Sequence, residues 1–304
     1  MAAIGQATET TRGGEALLRA RQRAALLPDL LVEARRVVAT VTSGWHGRRR
    51  RGAGENFWQF RPFVDGEPVS RIDWRRSARD DNVYLRDREW EAAQTVWLWA
   101  DPSPSMLYRS QGAIVSKESR ALVLVLALAE LLSRSGERIG FPDVLDPISA
   151  RNAAERIAGA LATGRPASGF PSGDRFKRFS ELVLVSDLLD PMEALIERID
   201  YLSRRGVRGH LVQIADPAEV AFPYSGRTEF RDPETGAKLT AGRAETLREE
   251  YRTLFDARRA HLADHCRHIG WSHVFHLTDR LASEPLLALH GRLSGQFQPA
   301  GQRA

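Results

Sequence analysis

An aspartate and two serines stand at alternate positions in Asp101-Pro102-Ser103-Pro104-Ser105-Met106. Each proline restricts the residue before it to extended geometry, which keeps Asp101 and Ser103 out of a helix. Alternate side chains of an extended segment point the same way, so Asp101, Ser103 and Ser105 converge on one point. One carboxylate and two hydroxyls suit a hard cation, Mg²⁺ or Mn²⁺, which takes few carboxylates and keeps several waters. The same residue types also make a plain polar turn, bonded to neighbouring backbone amides. A second polar cluster, Ser186-Asp187-Leu188-Leu189-Asp190-Pro191, follows the apolar run Leu182–Val185. Both clusters follow strand-like runs. Asp187 is therefore expected beside Asp101 at one edge of a sheet, where open α/β folds place their ligands. The competing reading is two independent helix N-caps.

Other chemistry-bearing groups are weaker. Asp73 lies among Arg71, Arg75, Arg76 and Arg79, where a bidentate carboxylate–guanidinium pair would pin a turn, with Trp74 as a packing anchor. That block is read as a structural clasp or contact surface. Arg48, Arg49, Arg50 and Arg51 form a dense anion-attracting patch, fit for a protein contact or intramolecular pairing. No aromatic-interleaved signature accompanies it, so no nucleic-acid partner is expected. His261, His265 and His268 share one helix but lack the glutamate of a zinc-protease helix and read as a polar face. No glycine-rich phosphate loop is present, so the chain is not expected to be an ATPase itself. Cys266, the single cysteine, fits a packing role and excludes a disulfide within the chain.

The elements that must position these residues alternate between strand and helix. Thr95–Ala100, Glu137–Phe141, Leu182–Val185, Val207–Ala215 and Ser272–Leu277 read as strands. Lys117–Ser133, Ala150–Leu161, Met192–Arg205, Arg243–His268 and a segment from Ser283 read as helices. Such alternation predicts a doubly wound, mostly parallel α/β sheet covered on both faces. Val83–Trp90 alternates as a half-buried strand, and Phe57–Phe63 reads as another. Phe222–Thr240 reads as a hairpin-like excursion turning at Asp232-Pro233-Glu234-Thr235-Gly236. Residues 14–40 read as two helices broken at Pro28. The expected organisation is an N-terminal helical segment over 1–45, an arginine-rich and β-rich segment over 46–94, the α/β domain over 95–292 and a disordered tail over 293–304.

Positive charge gathers at one end. Residues 1–52 hold ten arginines against four acidic residues, and the remainder is close to neutral. The first 14 residues lack the basic start and apolar run of a secretory leader, and Ala121–Leu132 is too short to span a bilayer. A cytoplasmic location without a transmembrane segment is expected.

Asp101-Pro-Ser-Pro-Ser-Met resembles the metal-ion-dependent adhesion site (MIDAS), Asp-x-Ser-x-Ser, of von Willebrand factor A-like domains. The stretch Phe60 to Arg79, with its Ile72-Asp73-Trp74-Arg75-Arg76-Ser77-Ala78-Arg79 block, resembles the signature of the DUF58 family. The resemblance continues through Lys117 and Ser186-Asp187. It implies a von Willebrand A-like fold, with an N-terminal helical and β-rich extension. It also implies Asp101, Ser103, Ser105 and Asp187 as metal ligands, and a MoxR-type AAA+ ATPase as partner, together with membrane-anchored von Willebrand A-like proteins. Sites of this kind also take a threonine from an intervening loop. Here Thr163, Ser168 and Ser172 are the available hydroxyls, and none sits in a matching motif. The expected function is that of a non-enzymatic adaptor in protein-complex assembly or maturation. The alternative is a metal-dependent hydrolase of phosphate-containing substrates, with the arginine patch as anion clamp.

Overall fold

Strand β3 (Thr95–Ala100) is buried from Val96 onward and forms the pivot of a six-stranded sheet. The computed structural model describes residues 4–45, 58–63, 72–79, 82–88, 94–164 and 169–293. In chain order the helices are α1 (Ile4–Trp45), α2 (Trp74–Ser77), α3 (Lys117–Arg134), α4 (Ala153–Thr163), α5 (Met192–Arg204), α6 (Pro217–Ala221), α7 (Arg248–His268) and α8 (Ser283–Leu293). The strands are β1 (Trp58–Pro62), β2 (Tyr84–Arg88), β3, β4 (Arg138–Phe141), β5 (Leu145–Ile148), β6 (Glu181–Ser186), β7 (Arg208–Ala215), β8 (Thr228–Arg231), β9 (Lys238–Ala241) and β10 (Ser272–Leu277). The chain divides into two units: Met1–Thr42 with Gln94–Ala304, and Ser43–Ala93.

The large sheet runs β10-β7-β6-β3-β4-β5, parallel throughout except for the β4–β5 hairpin at one edge. The fold is therefore α/β with a mostly parallel sheet, as the alternation of elements predicts. β5 was not foreseen; its Leu-Asp-Pro-Ile sequence is short and only partly buried, and it stands at the edge where proline is tolerated. From β3 the chain steps outward to β4 and β5, then returns to the other side of β3 to lay down β6, β7 and β10. The direction reverses between β3 and β6. Right-handed crossovers then put α3 and α5 on opposite faces.

Helix α3 is buried at Lys117, Glu118 and every residue from Arg120 to Ser133, as a helix that is apolar all round requires. It packs on α4, α8 and the sheet. Helix α1 adds Leu27, Leu30, Ala34, Val38 and Val41 to the same core, a helical spacing of three and four. Pro28 lies inside this one continuous helix, so the expected break does not occur. An internal proline costs about 3 kcal/mol, and burial of Leu27 just before it and of Leu30, Ala34, Val38 and Val41 after it supplies the offset. On α7 and α5, His265 Nε2 and Asp200 Oδ1 lie 2.7 Å apart. Gly209 of β7 has no Cβ because Trp271 fills that space, 2.0 Å from where one would stand.

In the smaller unit β1 pairs antiparallel with β2, from Trp58 opposite Arg88 to Pro62 opposite Tyr84. β8 and β9 form a separate antiparallel hairpin in the α/β unit. Its base carries an aromatic cluster in which Phe222 meets Tyr224, Phe230 and Tyr251 at centroid distances of 5.1, 5.6 and 4.7 Å.

Candidate functional site

The β3–β6 reversal brings Asp101 and Asp187 to neighbouring strand ends. Ala100 pairs with Val185, and the Asp101 N–H extends that ladder by donating to Val185 O at 2.9 Å. The Asp101 carboxylate is buried. Its Oδ1 accepts the Ser103 N–H at 2.9 Å and its Oδ2 accepts the Ser186 hydroxyl at 2.6 Å. Burial pushes its pKa up, against the hydrogen bonds from Ser186 and Ser103, and the nearby charge of Asp187 adds to the rise. Ser186 Oγ also accepts the Leu188 N–H at 2.9 Å. Leu188 is buried in the left-handed region at φ 55°. A β-carbon makes that conformation costly, so the strand-end loop is held against local preference.

Ser103 and Ser105 do converge, with Oγ atoms 3.1 Å apart. Pro104–Leu107 is a single 3₁₀ turn. The Ser105 N–H donates to Oε1 of Glu234 at 2.9 Å. Glu234 belongs to the β8–β9 turn, where its own N–H is held by Asp232 Oδ1 at 2.9 Å. A carboxylate from elsewhere in the chain is thus seated on the Asp-x-Ser-x-Ser loop.

Asp187 is turned toward a lysine. Lys117 Nζ donates to Asp187 Oδ2 at 2.8 Å and to Glu219 Oε1 at 2.5 Å. Lys117 is fully buried as the first residue of α3, behind the N-cap Ser116. Burial alone would push its pKa down; the charges of Asp187 and Glu219 and the bonds they accept outweigh it, and the ammonium is held above the ordinary lysine value. Glu219 is fixed by a capping box at α6. Its Oε2 accepts the Asp216 N–H at 2.7 Å, while Asp216 accepts the Ala218 N–H at 2.8 Å. The other Asp216 oxygen accepts the Ser110 N–H at 2.8 Å. The loops after β3, β6 and β7 and the start of α3 are thereby tied together.

Asp101, Ser103, Ser105 and Asp187 are therefore gathered at one strand-end site, but the arrangement does not fit a divalent ion on Asp187. Both Asp101 oxygens already accept hydrogen bonds, and Oδ2 of Asp187 is on Lys117 Nζ. A divalent ion about 4 Å from that ammonium would be repelled by roughly 8 kcal/mol at an effective dielectric constant near 20. The threonine position is not supplied by Thr163, whose hydroxyl donates back to Gly159 O and Ala160 O on α4. Ser172 lines a cavity of about 420 Å³ with Glu197, Arg198 and Tyr201. Ser168 lies outside the described residues. Among the described residues, no three His, Cys, Asp or Glu side chains are grouped to hold a metal.

In the smaller unit, the Asp73 N–H donates to Tyr84 O at 2.9 Å, and its carbonyl accepts the Ser77 N–H and hydroxyl at 3.0 and 2.9 Å. Ser77 Oγ accepts the Tyr84 N–H at 2.9 Å, so Ser77 joins α2 to β2. Trp74 is 63% exposed and is not the packing anchor its size predicts. Arg75 and Arg79 are exposed. Arg71 and the patch Arg48 to Arg51 lie outside the described residues.

Sequence reasoning missed the roles of Lys117, Ser186, Glu219 and Glu234. Two signals were available. Asp216-Pro-Ala-Glu219 has capping-box spacing. Lys117 is one of only three lysines in a chain with 44 basic residues, placed at the head of an apolar helix.

The chain is similar to several known proteins. The uncharacterized protein Rv1480 of Mycobacterium tuberculosis and the uncharacterized protein Mb1516 of Mycobacterium bovis are each 24% identical over 274 residues, covering 84% of this chain and 85% of theirs. Two solved structures are similar over 67% of this chain and 100% of theirs, at 13% identity. They are the conserved hypothetical protein BatB from Bacteroides thetaiotaomicron, with a TM-score of 0.40, and an aerotolerance-related membrane protein from Bacteroides fragilis, with a TM-score of 0.39. Residues 59–261, which hold the Asp73 block, Asp101, Lys117 and Asp187, match the family described as "Protein of unknown function DUF58", and the chain belongs to that family.

Proposed function

We propose that the protein is a non-enzymatic interaction module, of von Willebrand A-like kind, that recognises an acidic segment of a partner at the strand-end site. The observation that carries this reading is the Glu234 carboxylate on the Ser105 N–H. That amide, with the paired hydroxyls of Ser103 and Ser105 beside it, is a ready donor to one carboxylate. Glu234 is exposed, so a partner's Asp or Glu can exchange with it without opening the core.

The family resemblance supplies the partner class, a MoxR-type AAA+ ATPase, and the process, assembly or maturation of protein complexes. The test is capture of such an ATPase by wild-type protein and by Asp101→Ala. Loss of capture by the variant supports the reading, and equal capture by both removes the strand-end site from it.

A further inference from the structure

The cation that an Asp-x-Ser-x-Ser site ordinarily borrows from solution is, in this chain, covalently built in. We infer that the Lys117 ammonium is the resident cation of the strand-end site, so that the site assembles without a divalent metal. Three facts carry this. Nζ lies within hydrogen-bond reach of carboxylates from two different strand-end segments, Asp187 after β6 and Glu219 in the first turn of α6. Lys117 has a relative exposure of 0%, so its charge is not shared with water. The remaining oxygens are also spoken for: Glu219 Oε2 by the Asp216 N–H, and Asp101 by the Ser103 N–H and the Ser186 hydroxyl. A bridging divalent ion does the same work, drawing carboxylates from separate loops onto one centre. Here a point charge with three donors does it from a rigid helix start.

The consequence for partners is direct. With a metal, a partner's carboxylate would complete the ion's shell. With Lys117 buried beneath the loop, the partner instead meets hydroxyls and the Ser105 amide, and recognition persists in chelator. The inference deepens the proposed docking role and rests on it for what the site is for. Its test uses the full chain alone, so failure to capture an ATPase leaves the cation result standing.

The experiment is titration of the chain with Mn²⁺ and Mg²⁺, followed by calorimetry and by the shift of the melting temperature, for wild type, Asp187→Asn, Lys117→Met, and Lys117→Met combined with Asp187→Asn. The expected result is no saturable site in the wild type at concentrations up to about 1 mM. Lys117→Met is expected to gain a saturable Mn²⁺ site and to melt higher when the ion is added. Adding Asp187→Asn should remove that gain. Two results overturn the inference: saturable binding by the wild type that Asp187→Asn abolishes, or a folded Lys117→Met that gains no affinity. If Lys117→Met does not fold, the wild-type titration alone decides, a saturable site lost in Asp187→Asn overturning the inference and its absence supporting it.

Discussion

Nζ of Lys117 donates to Oδ2 of Asp187 across 2.8 Å, joining the head of α3 to the end of β6, 70 residues along the chain. Both groups are buried, their side chains 1% and 5% exposed. Replacing Lys117 by Met leaves Asp187 and Glu219 without the ammonium they share, and removing one partner of a buried pair costs about 3–5 kcal/mol. Urea denaturation of Lys117→Met at neutral pH should show a loss of that size. Asp187→Asn should lose less, because Lys117 keeps Glu219.

Glu234 sits on the loop the proposed partner must reach. Glu234→Ala removes the internal competitor while leaving the hairpin's aromatic base in place. Partner affinity should rise severalfold, by about 1 kcal/mol. The melting temperature should barely move, since the residue is exposed. A binding isotherm beside a melting curve measures both.

His276 on β10 is buried, and burial, aided by the charge of Arg120, pushes its pKa down to about 4. Its folded value lies below the unfolded one, so the unfolded chain binds the extra proton between about pH 4 and 6.5. The stability linked to His276 is therefore complete above pH 6.5 and is lost as the pH falls toward 4, by up to about 3 kcal/mol. His276→Leu should show a shallower fall in stability across that window than the wild type in paired denaturation series.

Cys266 is fully buried in α7, and burial pushes its thiol up to about 12. The thiolate is the reactive form. A disulfide reagent should leave the native protein unmodified at pH 8 and label one thiol per chain once it is unfolded. Rapid labelling of the native state would contradict the packing role.

Much of this site is legible in the sequence because strand ends are. The runs before Asp101 and Asp187 are apolar and unbroken, and parallel strands separated by helices gather their carboxyl ends on one edge. That logic places the two aspartates together without naming what lies between them. Lys117 escaped it because a helix start is positioned by the crossover, and no local pattern says which strand end it will face. Glu219 escaped because α6 is a single short turn held by its capping box. Glu234 escaped because the tilt of a hairpin excursion depends on packing of Phe222, Tyr224 and Phe230 that spacing does not encode. The expected break at Pro28 failed for a related reason: tertiary burial of Leu27, Leu30 and Ala34 outweighs local preference.

The proposed docking role stands most directly on the affinity of a MoxR-type AAA+ ATPase for immobilised protein, compared between wild type, Asp101→Ala and Glu234→Ala. The account predicts that Asp101→Ala weakens binding about tenfold or more, roughly 1.4 kcal/mol, while Glu234→Ala strengthens it. Equal affinity for all three proteins would contradict it.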